Sequence, residues 1–86
     1  MKKVKIYTTK VCPYCVRAKQ LFKSKNITYE EITVDPYDEA IWAEMEKRSG
    51  MKTVPQIFID DKCVGGFTDI AELDHKGELD KLLGIS

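Results

Sequence analysis

The first 34 residues read strand, helix, strand, and that order limits the chain to few architectures. Over residues 3–8, Val4 and Ile6 alternate with Lys3 and Lys5 and lead into Tyr7, the period of a short strand. Over residues 12–25 the apolar positions Val11, Tyr14, Cys15, Ala18, Leu21 and Phe22 recur every three or four residues. This predicts an amphipathic helix with Lys19, Lys23 and Lys25 on its wet side and Asn26 as its stop. Residues 28–34 are rich in β-branched and aromatic side chains and suit a second strand. Two strands joined by a helix pair in parallel through a right-handed crossover.

After the Asp35-Pro36 turn, residues 38–49 read as a helix with Ile41, Trp42, Met45 and Arg48 on one side and Gly50 closing it. Residues 56–60 and 62–64 suit two strands of an antiparallel hairpin with its turn at Asp60-Asp61. Gly65-Gly66 ends the second of these. Thr68 is expected to cap a third helix whose first turn holds Asp69. Gly77 interrupts that helix, and residues 78–83 add a last turn or two. The fold class is α/β, a mixed sheet with helices on both faces. Eighty-six residues suffice for one core, so a single domain over 1–86 is expected.

Fourteen basic residues balance fourteen acidic ones, which argues against a global electrostatic grip on nucleic acid or an anionic membrane. The neutrality is a cancellation. Residues 1–29 hold eight basic residues and no acidic one, while residues 30–86 hold six basic residues and all fourteen acidic ones. No apolar run approaches the roughly 20 residues that span a bilayer. Lysine and threonine break up the first ten residues, so no signal-peptide core is read there. The expected compartment is the cytoplasm, where thiols stay mostly reduced. Three cysteines, at 12, 15 and 63, are too few for a disulfide scaffold, so their reactivity matters more than their number.

The chemistry concentrates in Cys12-Pro13-Tyr14-Cys15. The spacing puts two sulfurs within bridging reach at a strand-to-helix turn. Unpaired backbone N–H groups at the helix start favour an anion, so a Cys12 thiolate is stabilised there, with Lys10 adding positive charge. Pro13 suits the first helical position, where its missing N–H costs little. Cys15, one turn inside, is expected to be buried, less acidic, and able to donate a weak S–H bond toward Cys12. Other readings stand beside this one. The pair could be core filler, a static disulfide, or half of a zinc site completed by Cys63 and His75.

Cys12-Pro13-Tyr14-Cys15 after a short strand, Thr53-Val54-Pro55 before another, and Gly65-Gly66 followed by Asp69 together resemble a dithiol glutaredoxin over essentially the whole chain. The resemblance implies a thioredoxin-like fold, with a four-stranded mixed sheet in the order 2-1-3-4 flanked by three or more helices. It also implies glutathione-dependent thiol–disulfide exchange, with Cys12 as nucleophile and Cys15 as resolving thiol. Glutathione then acts as cosubstrate, without a cofactor or metal. The partners implied are glutathione and glutathionylated or disulfide-containing proteins, and a monomer is expected.

In the family the bond before the proline matching Pro55 is cis and lies beside the active cysteine. The implied glutathione site comprises Lys10, Tyr14, Thr53, Val54, Pro55, Gly66, Thr68 and Asp69. Val54 offers backbone groups to an extended peptide. The third helix start holds the γ-glutamyl carboxylate, Asp69 faces the γ-glutamyl ammonium, and Lys10 suits the glycine carboxylate.

Two positions depart from the family. Trp42 falls where relatives often carry a polar or basic side chain for the glycine carboxylate, with Arg48 or Lys52 as substitutes. Phe67 follows Gly66 where some relatives place a further cysteine. Cys63 is read as packing and His75 as a surface helix residue. Two rival functions stay open: a thioredoxin-like electron donor reduced by a flavin reductase, and an iron–sulfur cluster carrier.

Overall fold

A computed structural model describes residues 2–84. Its elements are β1 (Val4–Thr8), α1 (Pro13–Ser24), β2 (Glu30–Thr33), α2 (Glu39–Ser49), β3 (Gln56–Ile59), β4 (Lys62–Gly65), α3 (Phe67–His75) and α4 (Glu78–Leu83). The strands form one sheet in the order β2-β1-β3-β4. β1 pairs in parallel with β2, and β3 runs antiparallel to both β1 and β4. This is the expected thioredoxin-like architecture, with four helices.

The strand period sorts side chains between two layers. Val4, Ile6, Ile57 and Ile59 pack on one face with Ala18 and Phe22 of α1, Ile70 of α3, and Leu79 and Leu83 of α4. Tyr7 and Phe58 turn to the other face and meet Val34 and Met45, with Ile41, Trp42 and Cys63 half-buried around them. There Arg48 lies 4.9 Å from the centroid of the Phe58 ring and donates to the Tyr7 hydroxyl at 3.2 Å.

The helix ends follow local chemistry. Cys12 is the N-cap of α1, Pro13 opens the helix, and Asn26 leaves it with φ of 57°. The Asp38 carboxylate caps α2 by accepting from the Ile41 N–H, and Gly50 leaves that helix with φ of 74°. Asp60 and Asp61 both have positive φ, as a two-residue hairpin turn requires.

Four expectations are corrected. Val11 fits the apolar period of α1 but precedes the helix and is 90% exposed. Lys19 and Lys25 are not on a wet side: Lys19 pairs with Glu31 at 3.0 Å, and Lys25 bridges Asp74 and Asp80 from a half-buried position. Thr68 does not cap α3. Gly66 occupies that place, and the Asp69 carboxylate accepts the Gly66 N–H at 2.9 Å. The second strand begins at Glu30 rather than residue 28. Among the described residues, no helix is long and apolar enough to cross a membrane.

Candidate active site

β1 ends at Thr8, and a four-residue loop delivers Cys12 to the start of α1. Cys12 and Cys15 are joined by a disulfide, with their Cα atoms 5.2 Å apart. Cys15 is 1% exposed, while Cys12 is partly open to solvent. Pro13 and Tyr14 both point outward. One sulfur is thus presented and the other sheltered.

The Cys12 Sγ accepts the Cys15 backbone N–H at 3.1 Å. That donor replaces the expected Cys15 thiol, and it belongs to the unpaired N–H groups of the first helical turn. It favours negative charge on Cys12 once the disulfide opens. The first turn of α1 contains no acidic residue, so nothing in it opposes that charge.

Across from the sulfur, the Val54-Pro55 bond is cis, and the Val54 carbonyl oxygen lies 3.9 Å from Cys12 Sγ. Gln56, fully buried, anchors this segment by donating from Nε2 to the Met51 carbonyl at 3.0 Å. A cleft of about 340 Å³ opens from here between the start of α1, the Met51–Pro55 segment and the start of α3. It brings together Tyr14, Thr53, Val54, Pro55, Gly66, Thr68 and Asp69.

The two glycines serve this cleft in different ways. Gly65 has φ of +105°, and a Cβ there would meet the Asp69 carboxyl carbon at 2.6 Å. At Gly66 a Cβ would press to 3.2 Å from the Pro55 carbonyl oxygen. Gly65 is thus the position that excludes a side chain where the strand turns into α3, while at Gly66 the Pro55 carbonyl would have to give way slightly.

Lys10 stands apart from the seven. It is exposed and lines a separate depression with Val11, Val34 and Pro36. Trp42 faces away as well, donating its indole N–H to the Asp35 carbonyl at 3.0 Å. Arg48 is committed to Phe58 and Tyr7, and Lys52 is exposed near Glu46. Cys63 packs beneath α2, and among the described residues no three His, Cys, Asp or Glu side chains converge as metal ligands do.

Two lining residues were not read from the sequence. Met51 and Phe67 form apolar walls, and the Phe67 ring lies 6.3 Å from that of Tyr14. Phe67 follows a glycine pair and opens a helix, so its position carried a signal. Met51 carried none.

The glutaredoxin family model matches residues 4–64. Glutaredoxin 3 of Escherichia coli K12 is 51% identical over 83 residues, covering 96% of this chain and 99% of that protein. Among solved structures, a buckwheat glutaredoxin–glutathione complex superposes with a TM-score of 0.89 at 30% identity, covering 96% of this chain and 77% of that one. Glutaredoxin 1 of Francisella tularensis, solved with cacodylate, has a TM-score of 0.78 at 44% identity, covering 88% of this chain and 95% of that one.

Proposed function

The chain belongs to the glutaredoxin family, and from that premise we propose that its redox-active Cys12–Cys15 pair works with glutathione to reduce protein–glutathione mixed disulfides and protein disulfides. The observation that carries this reading is the partly exposed Cys12 sulfur 3.9 Å from the Val54 carbonyl, because Val54 lines the 340 Å³ cleft that runs from Tyr14 to the start of α3.

Glutathione is a short extended peptide, and the cleft supplies what such a peptide needs. The Val54 backbone serves as a strand edge for its cysteine residue. The start of α3, at Gly66, Thr68 and Asp69, receives the γ-glutamyl end. Asp69 already accepts the Gly66 N–H, which orients its carboxylate toward the ammonium group. Tyr14 and Thr53 flank the sulfur end, and Lys10 meets the glycine carboxylate from outside the cleft.

In the first step the Cys12 thiolate attacks the glutathione sulfur of a mixed disulfide. The target's thiolate leaves with the bonding pair and takes up a proton, and Cys12 now carries glutathione. A second glutathione thiolate attacks the glutathionyl sulfur, releasing Cys12 and oxidised glutathione. On a protein disulfide, Cys12 attacks one sulfur and Cys15 then displaces the target from Cys12, leaving the Cys12–Cys15 bond. Glutathione reduces that bond and is a cosubstrate; the exchange itself needs no cofactor. In this reading the protein works as a monomer in the cytoplasm.

The test is glutathione-dependent reduction of a small glutathione mixed disulfide by wild type, Cys12→Ser and Cys15→Ser. Cys12→Ser should lose all activity. Cys15→Ser should keep the mixed-disulfide reaction but fail on a protein disulfide. Equal loss of both reactions in a folded Cys15→Ser protein would refute the assignment of roles.

A further inference from the structure

Three of the exposed large apolar side chains neighbour Cys12 along the chain. Among the described residues the exposed set is Val11, Tyr14, Val16, Tyr37 and Leu82, and the first three lie within four positions of Cys12. Isolated exposed apolar residues are ordinary, but a cluster of them marks a contact surface.

The Val16 N–H donates to the Cys12 carbonyl at 3.2 Å, which sets Val16 one turn along α1 on the side of Cys12. It is 47% exposed, and Val11, just before Cys12, is 90% exposed. Pro13 is exposed between them. None of these three lines the cleft assigned to glutathione, so binding that tripeptide does not account for them.

A charge borders the patch. The Arg17 guanidinium lies 5.2 Å from the Tyr14 ring centroid, exposed and in no ion pair with the described residues. All of α1, from Pro13 to Ser24, lacks an acidic residue. A partner segment with carboxylates is attracted to such a surface, and one with lysines is repelled.

We propose that Val11, Pro13, Val16 and Arg17 form a docking surface for the target polypeptide. It favours an extended segment with an aliphatic side chain and carboxylates flanking the cysteine to be attacked. This rests on Cys12 being the attacking thiol, and it places the target on residues outside the cleft assigned to glutathione.

The test avoids glutathione. Peptides of one length carry a single cysteine capped as a mixed disulfide with thionitrobenzoate, flanked by Leu and Asp or by Leu and Lys. A small capped thiol without a peptide serves as reference. In the Cys15→Ser protein the Cys12 thiolate attacks the peptide sulfur. The peptide–thionitrobenzoate bond breaks, the yellow thiolate leaves with the electron pair, and a Cys12–peptide disulfide forms.

Relative to the small reference, the acidic peptide should react about tenfold faster than the basic one at low salt. The ratio should fall toward one as salt screens the charges. Arg17→Glu should bring the ratio to one or below, and Val16→Ser should slow both peptides but not the reference. An unchanged ratio in Arg17→Glu, or equal rates for both peptides with wild-type Arg17, would overturn the docking surface. A Cys15→Ser protein inert toward all three compounds would overturn the nucleophile assignment and the docking surface with it.

Discussion

On the face of the sheet that carries the reactive helix, α1, α3 and α4 bury Phe22, Ile70, Leu79 and Leu83 completely against Val4, Ile6, Ile57 and Ile59. On the opposite face α2 covers only Tyr7, Val34 and Phe58 with Met45, and half-buried Ile41 and Trp42 complete the layer. The thick face also holds the tighter ion pairs. Lys19 joins α1 to Glu31 of β2, and Lys25 joins the end of α1 to Asp74 of α3 and Asp80 of α4. The element that presents Cys12 is therefore fastened at its far end and along its length. The thin face has looser ties: Arg48 serves Phe58 and Tyr7, and Arg48 and Lys5 lie 3.9 and 4.0 Å from Asp61.

If the two faces differ as described, truncations on them should differ in cost. Phe22→Ala should lower unfolding free energy by about 3–5 kcal/mol, because the site is enclosed on all sides and cannot collapse. Met45→Ala should cost about 2 kcal/mol, near the low end for such a truncation, since its half-buried neighbours are free to settle into the space. Denaturant titration of both variants measures the contrast, and equal losses would break it.

Gly65→Ala probes the link between sheet and cleft. The positive φ alone costs about 1–2 kcal/mol, and the Cβ must displace the Asp69 carboxylate. Catalytic efficiency with glutathione should fall by more than the loss of folded protein explains. Steady-state kinetics at a temperature where the variant stays folded would reveal an unmoved cleft as unchanged kinetics.

The smallest effect concerns acid. The Lys19 ammonium, and next the Thr8 hydroxyl, hold the Glu31 carboxyl below its ordinary 4.5. The folded chain therefore binds fewer protons at Glu31 than the unfolded chain. The stabilisation is full above the ordinary value and is lost as pH falls through the lowered one. The pair is partly exposed, so a contribution under about 1 kcal/mol is expected. Glu31→Gln should flatten the decline in stability from pH 5 to 3 while leaving any alkaline decline above 10.5, where Lys25 loses its charge, intact. Thermal melts across that range decide it. Lys25 runs the opposite way: its hydrogen bonds to Asp74 and then Asp80 raise it above 10.5, so its contribution persists below that value and fades as pH rises.

Much of this was legible in the residues. The alternation at Val4 and Ile6 and the three-and-four spacing of Cys15, Ala18 and Phe22 gave β1 and α1 because period alone sorts them. The parallel β1–β2 pair followed from chain handedness. The strand order and the cis Val54-Pro55 bond came from family resemblance, since neither has a local sequence signal. Thr68 misled because a good capping residue stood two positions past a glycine that needed none. Lys19 and Lys25 misled because a periodic reading takes lysine as wet, while acidic partners 12 and 55 residues away in sequence drew them inward. Lys10 is adjacent to the cysteine loop in sequence, yet it lies outside the cleft that the distant residues 51–55 and 66–69 help to build.

The central place of β1 has a consequence for how the protein is made. Its first strand pairs on one edge with β2, but its other edge waits for β3, with Val4 opposite Ile59. Both cysteines of the reactive pair leave the ribosome about forty residues before Pro55 does. At about 5–20 residues per second, this is a delay of roughly two to eight seconds. During that interval the nascent chain carries a complete dithiol without the Val54 carbonyl or the cleft that flank it in the folded protein. Any thiol-reactive agent in the cell meets it then as an unguarded pair.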